Sequence, residues 1–105
     1  MNFIQVCSTE ELPNDSQKVV NMGKRKIALF HYNNKISAIA NACLHKAGPL
    51  GLGAVSYKYD GMYVTCPWHG WQYNVTTGRH CLNARIEHTT FPVKLEEDGV
   101  FVELP

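Results

Sequence analysis

Two short segments, Cys43-Leu44-His45 and Cys66-Pro67-Trp68-His69, constrain this chain more than any other feature. Each joins a thiolate ligand to an imidazole ligand, so together they offer two sulfurs and two nitrogens to one small metal centre. Soft thiolates suit iron–sulfur clusters and zinc, and imidazole suits iron and zinc alike. In Cys43-x-His45 the ligands are two residues apart, so in extended backbone they point to the same side. In Cys66-x-x-His69 they sit across a tight turn, where Pro67 presets φ and Gly70 permits a positive φ. Each segment therefore reads as one ligand-bearing loop, and two such loops can close on a centre from opposite sides.

Taken singly, these residues have plainer uses. A lone buried Cys is usually a small core hydrophobe, and a lone His a hydrogen-bonded imidazole. Four of them at these spacings, with Pro67 and Gly70 beside them, do not fit that pattern. A structural zinc module is the stronger rival, because zinc accepts two Cys and two His. Its usual Cys-x-x-Cys or longer His pairs are missing from this sequence.

At 105 residues the chain can build one hydrophobic core, and 45% apolar content is ordinary for a globular protein. No apolar run approaches the roughly 20 residues needed to span a bilayer. The segment Met1-Asn2-Phe3-Ile4-Gln5 lacks the sections of a signal peptide, so the expected compartment is the cytoplasm and no membrane anchor is expected. The net charge is +1 with no aromatic-basic stripe, which gives nucleic-acid binding no support.

The rest of the chain reads as all-β. Strands are expected over Phe3–Val6, Lys18–Asn21, Lys26–Tyr32, Lys35–Ala40, Met62–Thr65, Trp71–Val75, Phe91–Leu95 and Val100–Leu104. Ser8-Thr9-Glu10-Glu11-Leu12-Pro13 reads as a turn, or as a single helical turn capped by Ser8. Asn33-Asn34 and Asp98-Gly99 are hairpin signals, and Thr76-Thr77-Gly78 is a turn. Ile27, Leu29 and His31 share one face of their strand. In the next, Ile36, Ala38 and Ala40 alternate against Lys35, Ser37 and Ile39. Residues 51–60 read as a loop away from the ligands. Many short strands separated by turns point to a sandwich or barrel. His31, His80 and His88 are assigned to surface or core positions, not to metal.

The sequence resembles the Rieske family. The likeness is carried by Cys43-Leu44-His45-Lys46-Ala47-Gly48-Pro49-Leu50, by Cys66-Pro67-Trp68-His69-Gly70-Trp71-Gln72-Tyr73-Asn74, and by Thr77-Gly78. It implies a single domain over residues 1–105. Its fold would be an antiparallel β-sandwich base with a small inserted subdomain, and its cluster-binding loops would lie at about 43–50 and 66–74. It also implies one [2Fe–2S] cluster per chain, with Cys43 and Cys66 on one iron and His45 and His69 on the other. The 20 residues between His45 and Cys66 make a long gap for the family.

Further expectations come from where the sequence departs from the high-potential members. Those carry an extra Cys in each loop, joined by a disulfide, whereas Cys7 and Cys81 lie outside the loops and read as free thiols. Those members also place a Ser where this chain has Trp71, while Tyr73 matches the Tyr that donates to a ligating sulfur. Fewer donors stabilise the reduced cluster less, so the resemblance implies a potential at the low end of the range, about −150 mV. Lys46 is a candidate for steering an acidic partner, and Leu44, Pro49, Leu50 and Trp68 for an apolar ring around the imidazoles. No mononuclear iron site is expected, since only His80 and His88 follow His69. The resemblance thus implies a ferredoxin, not itself an enzyme, passing electrons from a flavoprotein reductase to a terminal oxygenase. The alternatives are the small subunit of a nitrite reductase-type complex and the zinc module.

Overall fold

The computed structural model describes residues 2–23, 25–42, 48–58, 61–68, 70–83 and 85–104. The strands are β1 (Asn2–Ser8), β2 (Ser16–Met22), β3 (Arg25–Tyr32), β4 (Lys35–Ala40), β5 (Ala54–Lys58), β6 (Gly61–Thr65), β7 (Gln72–Asn74), β8 (Thr90–Phe91), β9 (Val93–Glu96) and β10 (Gly99–Leu104). They form three antiparallel sheets, ordered β1-β10-β9, β2-β3-β4-β8 and β5-β6-β7. The architecture is all-β and antiparallel, as expected.

The β2-β3-β4-β8 sheet is the middle layer, because β3 is buried on both faces. Ile27 and Leu29 pack with Val20, Ala38, Val100 and Val102 in one core. Ala28 and Phe30 pack on the other side with Ile39, Leu50, Val64, Cys66 and Tyr73. Ile39, expected beside the polar Lys35 and Ser37, is therefore fully buried. The β5-β6-β7 sheet covers the face of β4 that a two-layer reading leaves to solvent.

Local chemistry fixes several boundaries. Asn33 and Asn34 have φ of 56° and 59°, as a two-residue turn between paired Tyr32 and Lys35 requires. Ser8 accepts from the Glu11 N–H, and Glu11 accepts from the Ser8 N–H, closing a capping box on a 3-10 turn. At the last hairpin Glu96 pairs with Gly99, so Glu97-Asp98 form the turn and Gly99 already belongs to β10. A Cβ on Gly99 would lie 2.7 Å from Phe101 Cε1 and 2.9 Å from Gln5 Nε2, the far ends of two side chains that would have to shift.

Two expectations need correction. Residues 51–58 of the expected 51–60 loop are not one: Gly51 and Leu52 complete a 3-10 turn, and Ala54–Lys58 is β5, paired to β6 from Ala54↔Thr65 to Lys58↔Gly61, while residues 59 and 60 lie outside the described residues. Val55 and Tyr57 are strand formers, and β6 offers an unpaired edge that β5 satisfies. Nor is Phe91–Leu95 one strand. Pro92 cannot donate to a ladder, so Thr90–Phe91 pairs with β4 and Val93–Glu96 pairs with β10.

Candidate metal centre

Both stems of the candidate site are held by backbone hydrogen bonds. After β4, the Asn41 N–H donates to Lys26 O at 2.9 Å, and the Leu50 N–H donates to Asn41 O at 2.7 Å. Ala42 and Pro49 form a bridge that brings the two ends of the first loop together. Asn41 Oδ1 also accepts from the Gly51 N–H at 2.8 Å, locking the stem to the 3-10 turn. The second loop hangs between β6 and β7. There the Cys66 N–H donates to Trp71 O at 2.7 Å and the Gly70 N–H to Cys66 O at 3.0 Å. Gly70 has φ +77°, the left-handed conformation that this turn needs.

The two loops meet at Cys66 and Gly48. Cys66 is buried in the second core. A Cβ on Gly48 would stand 2.5 Å from Cys66 Sγ and 3.1 Å from Trp68 Cγ. The first loop thus returns directly over the thiol of the second. Of the expected ligands, Cys66 is seen here, while Cys43, His45 and His69 lie outside the described residues, as do Leu44 and Lys46. Among the described residues no group of three or more His, Cys, Asp or Glu side chains could hold a metal ion. The donor set and the approach of Gly48 to a buried cysteine fit a centre held between the loops.

Tyr73 is fully buried beneath this point, its ring centre 5.3 Å from that of His88 and 5.7 Å from that of His80. Trp71 meets His80 edge-on at 4.8 Å. The expected apolar ring is only partly present: Trp68 is 59% exposed and Pro49 half-buried, but Leu50 is a core residue. The three histidines assigned elsewhere have structural partners. His31 Nδ1 donates to Leu12 O at 2.8 Å, and His80 Nδ1 accepts from the Leu82 N–H at 3.1 Å. His88 Nε2 donates to Ala40 O at 2.8 Å, and its buried Nδ1 has no hydrogen-bond partner among the described residues. Cys7 and Cys81 are free thiols. Burial first, and the Glu11 carboxylate second, push the Cys7 thiol above its ordinary range.

Sequence reasoning did not find the roles of Gly48 and His88. The Gly-Pro after the first ligand pair hinted at Gly48. Nothing local hinted at His88, whose partners come from distant strands.

A family model described as the Rieske [2Fe–2S] domain matches residues 2–94. The 3-phenylpropionate/cinnamic acid dioxygenase ferredoxin subunit of Photorhabdus laumondii is 31% identical over 103 residues, covering 97% of this chain and 94% of that protein. A chain from the complex of reduced oxygenase and oxidised ferredoxin in carbazole 1,9a-dioxygenase superposes with a TM-score of 0.79 at 25% identity, covering 95% of this chain and 91% of that one. A putative NADPH nitrite reductase small subunit superposes with a TM-score of 0.87 at 17% identity, covering 99% and 100%. At that identity the likeness is one of fold.

Proposed function

Because the chain belongs to the Rieske [2Fe–2S] family, we propose that it is a one-electron carrier, a ferredoxin taking electrons from a flavoprotein reductase and delivering them to a terminal oxygenase. The observation that carries this reading is the near full-length likeness to a dioxygenase ferredoxin subunit. The whole of residues 1–105 acts as one such domain, in the cytoplasm. No helix among the described residues is long and apolar enough to cross a membrane.

Cys43 and Cys66 are the proposed ligands of one iron and His45 and His69 of the other. A [2Fe–2S] cluster supplies reversible uptake of a single electron. The chain's own residues set the conditions for it. Cys66 presents its sulfur from a dry core, where the dielectric is low. Gly48 lets the first loop close on that sulfur. Tyr73 supports the second loop from below, with its hydroxyl the proposed donor to a ligating sulfur. Trp68 and Pro49 border the solvent side. The nitrite reductase small-subunit alternative shares the fold, but four ligand-type residues at both spacings favour the carrier.

Electron paramagnetic resonance of the dithionite-reduced protein tests this directly. A rhombic signal of low average g is expected, and Cys66→Ser should abolish or shift it. A silent spectrum from protein containing zinc and no iron would sink the carrier reading in favour of the zinc module.

A further inference from the structure

Beside the second loop runs a groove lined by Arg25, Lys26, Asn41, Pro49, Trp68 and Phe91, among others, with no carboxylate in its walls among the described residues. Arg25 and Lys26 are both exposed at the start of β3. Among the described residues neither joins an ion pair, unlike Lys18, which meets Glu11 at 3.8 Å, and Lys94, which meets Glu96 at 3.1 Å. The backbone of Lys26 is tied to the first loop. The Lys26 carbonyl accepts from Asn41 N–H at 2.9 Å, and Asn41 is the stem of the first loop. Across the groove stands Trp68, 59% exposed and two residues from the buried Cys66.

We propose that this groove seats the electron-exchanging protein partner through carboxylates on the partner that meet Arg25 and Lys26 and an apolar side chain that lies against Trp68. The inference rests on the reading of the chain as a carrier and specifies the charge of what it meets. The argument is charge complementarity. Two exposed cations set beside the loops, without an ion pair among the described residues, create a local positive field on a molecule whose net charge is only +1. Such a field steers an oppositely charged protein and fixes its orientation. Two cations are too few for a nucleic-acid track, which needs a row of phosphate contacts. Weak electron-transfer encounters use small interfaces, and a groove of this size suits one. Trp68 is part of the second ligand loop, two residues from Cys66, so docking and electron exchange share one edge of the molecule.

Two electron-carrier proteins of opposite charge serve as probes: acidic plastocyanin and basic cytochrome c. The dithionite-reduced protein gives one electron to the oxidised probe, and stopped-flow absorbance follows the probe's reduction. Calorimetric titration of the as-purified protein with each probe reads binding without electron transfer. Plastocyanin should react and bind better than cytochrome c, and its advantage should shrink between about 0.01 M and about 0.15 M ionic strength. R25E/K26E should slow plastocyanin about tenfold or more and weaken its binding in parallel, with the neutral R25Q/K26Q in between. K18E/K94E, which makes the same change in net charge elsewhere, should have little effect. Equal losses in R25E/K26E and K18E/K94E, or a wild-type preference for cytochrome c, would overturn the proposal. Protein that takes no electron from dithionite would refute the carrier reading instead, and the calorimetric arm would still decide the groove.

Discussion

Gly48 is the residue on which the candidate centre turns. The space for a side chain there is already filled, since a Cβ would sit 2.5 Å from Cys66 Sγ. Gly48→Ala must therefore push the first loop away from the thiol it covers. Iron content and the rhombic resonance should fall several-fold while the far-ultraviolet circular dichroism of the β base persists. Full iron content in this variant would show that the contact is slack. His88 gives a second prediction, on stability. Burial holds its imidazole below the ordinary 6.5, opposed by its backbone partners Ala40 and Ala42. The unfolded chain then takes up a proton near 6.5 that the folded chain refuses. The neutral imidazole's contribution is thus fully present above that pH and is lost as pH falls toward the depressed folded value. Urea unfolding between about pH 7 and pH 5 should show the midpoint falling with acidity. His88→Gln keeps a donor for Ala40 O and does not titrate, so its slope should be flatter. Glu11, held below 4.5 by Ser8, acts only at lower pH. An unchanged slope in His88→Gln would place the proton uptake elsewhere.

Among the elements, β3 bears the most, because its alternate side chains supply both cores. Phe30 is fully buried between β3 and the sheet that carries the second loop. Phe30→Ala should cost about 3–5 kcal/mol by urea denaturation, the range for truncating a buried aromatic. A loss under about 1 kcal/mol would mean that this core refills the space. The alternation of β3, its Asn-Asn turn and β4 were legible in the sequence because these signals are local. The inward turn of Ile39 was not, since it depends on a third sheet covering the second face. β5 was missed for a related reason: it is an edge strand, half exposed, whose pairing is dictated by β6 and not by its own weak pattern. The Asp-Gly pair marked the right hairpin but the wrong register, because Gly99 pairs with Glu96 and opens β10, which leaves Glu97-Asp98 as the turn. At the site, Cys66 and its turn could be read from spacing alone. The approach of Gly48 to Cys66 and the burial of Leu50 are long-range outcomes of packing.

For the whole molecule the measurable consequence is its reduction potential and how it responds to pH. Position 71 carries an indole, packed edge-on against His80, where high-potential relatives place a hydroxyl. With one donor fewer toward the proposed centre, the reduced and more negative state should gain less from hydrogen bonding, so the expected midpoint, read by redox titration, lies near the low end of the range, about −150 mV. That suits electrons drawn from a flavoprotein. Trp71→Ser should raise the midpoint by about 60 mV, the equivalent of about 1.4 kcal/mol in a one-electron couple. The pH response probes the ligands themselves. If His45 and His69 bind iron, their imidazoles lose protons more readily in the oxidised protein than in the reduced one. Each proton lost adds negative charge to the oxidised state and opposes the incoming electron. The midpoint should hold level near neutrality and then fall steadily through alkaline pH. Protein-film voltammetry over that range decides the matter: a midpoint that stays level into strongly alkaline solution would exclude histidine ligation, and with it the assignment of His45 and His69.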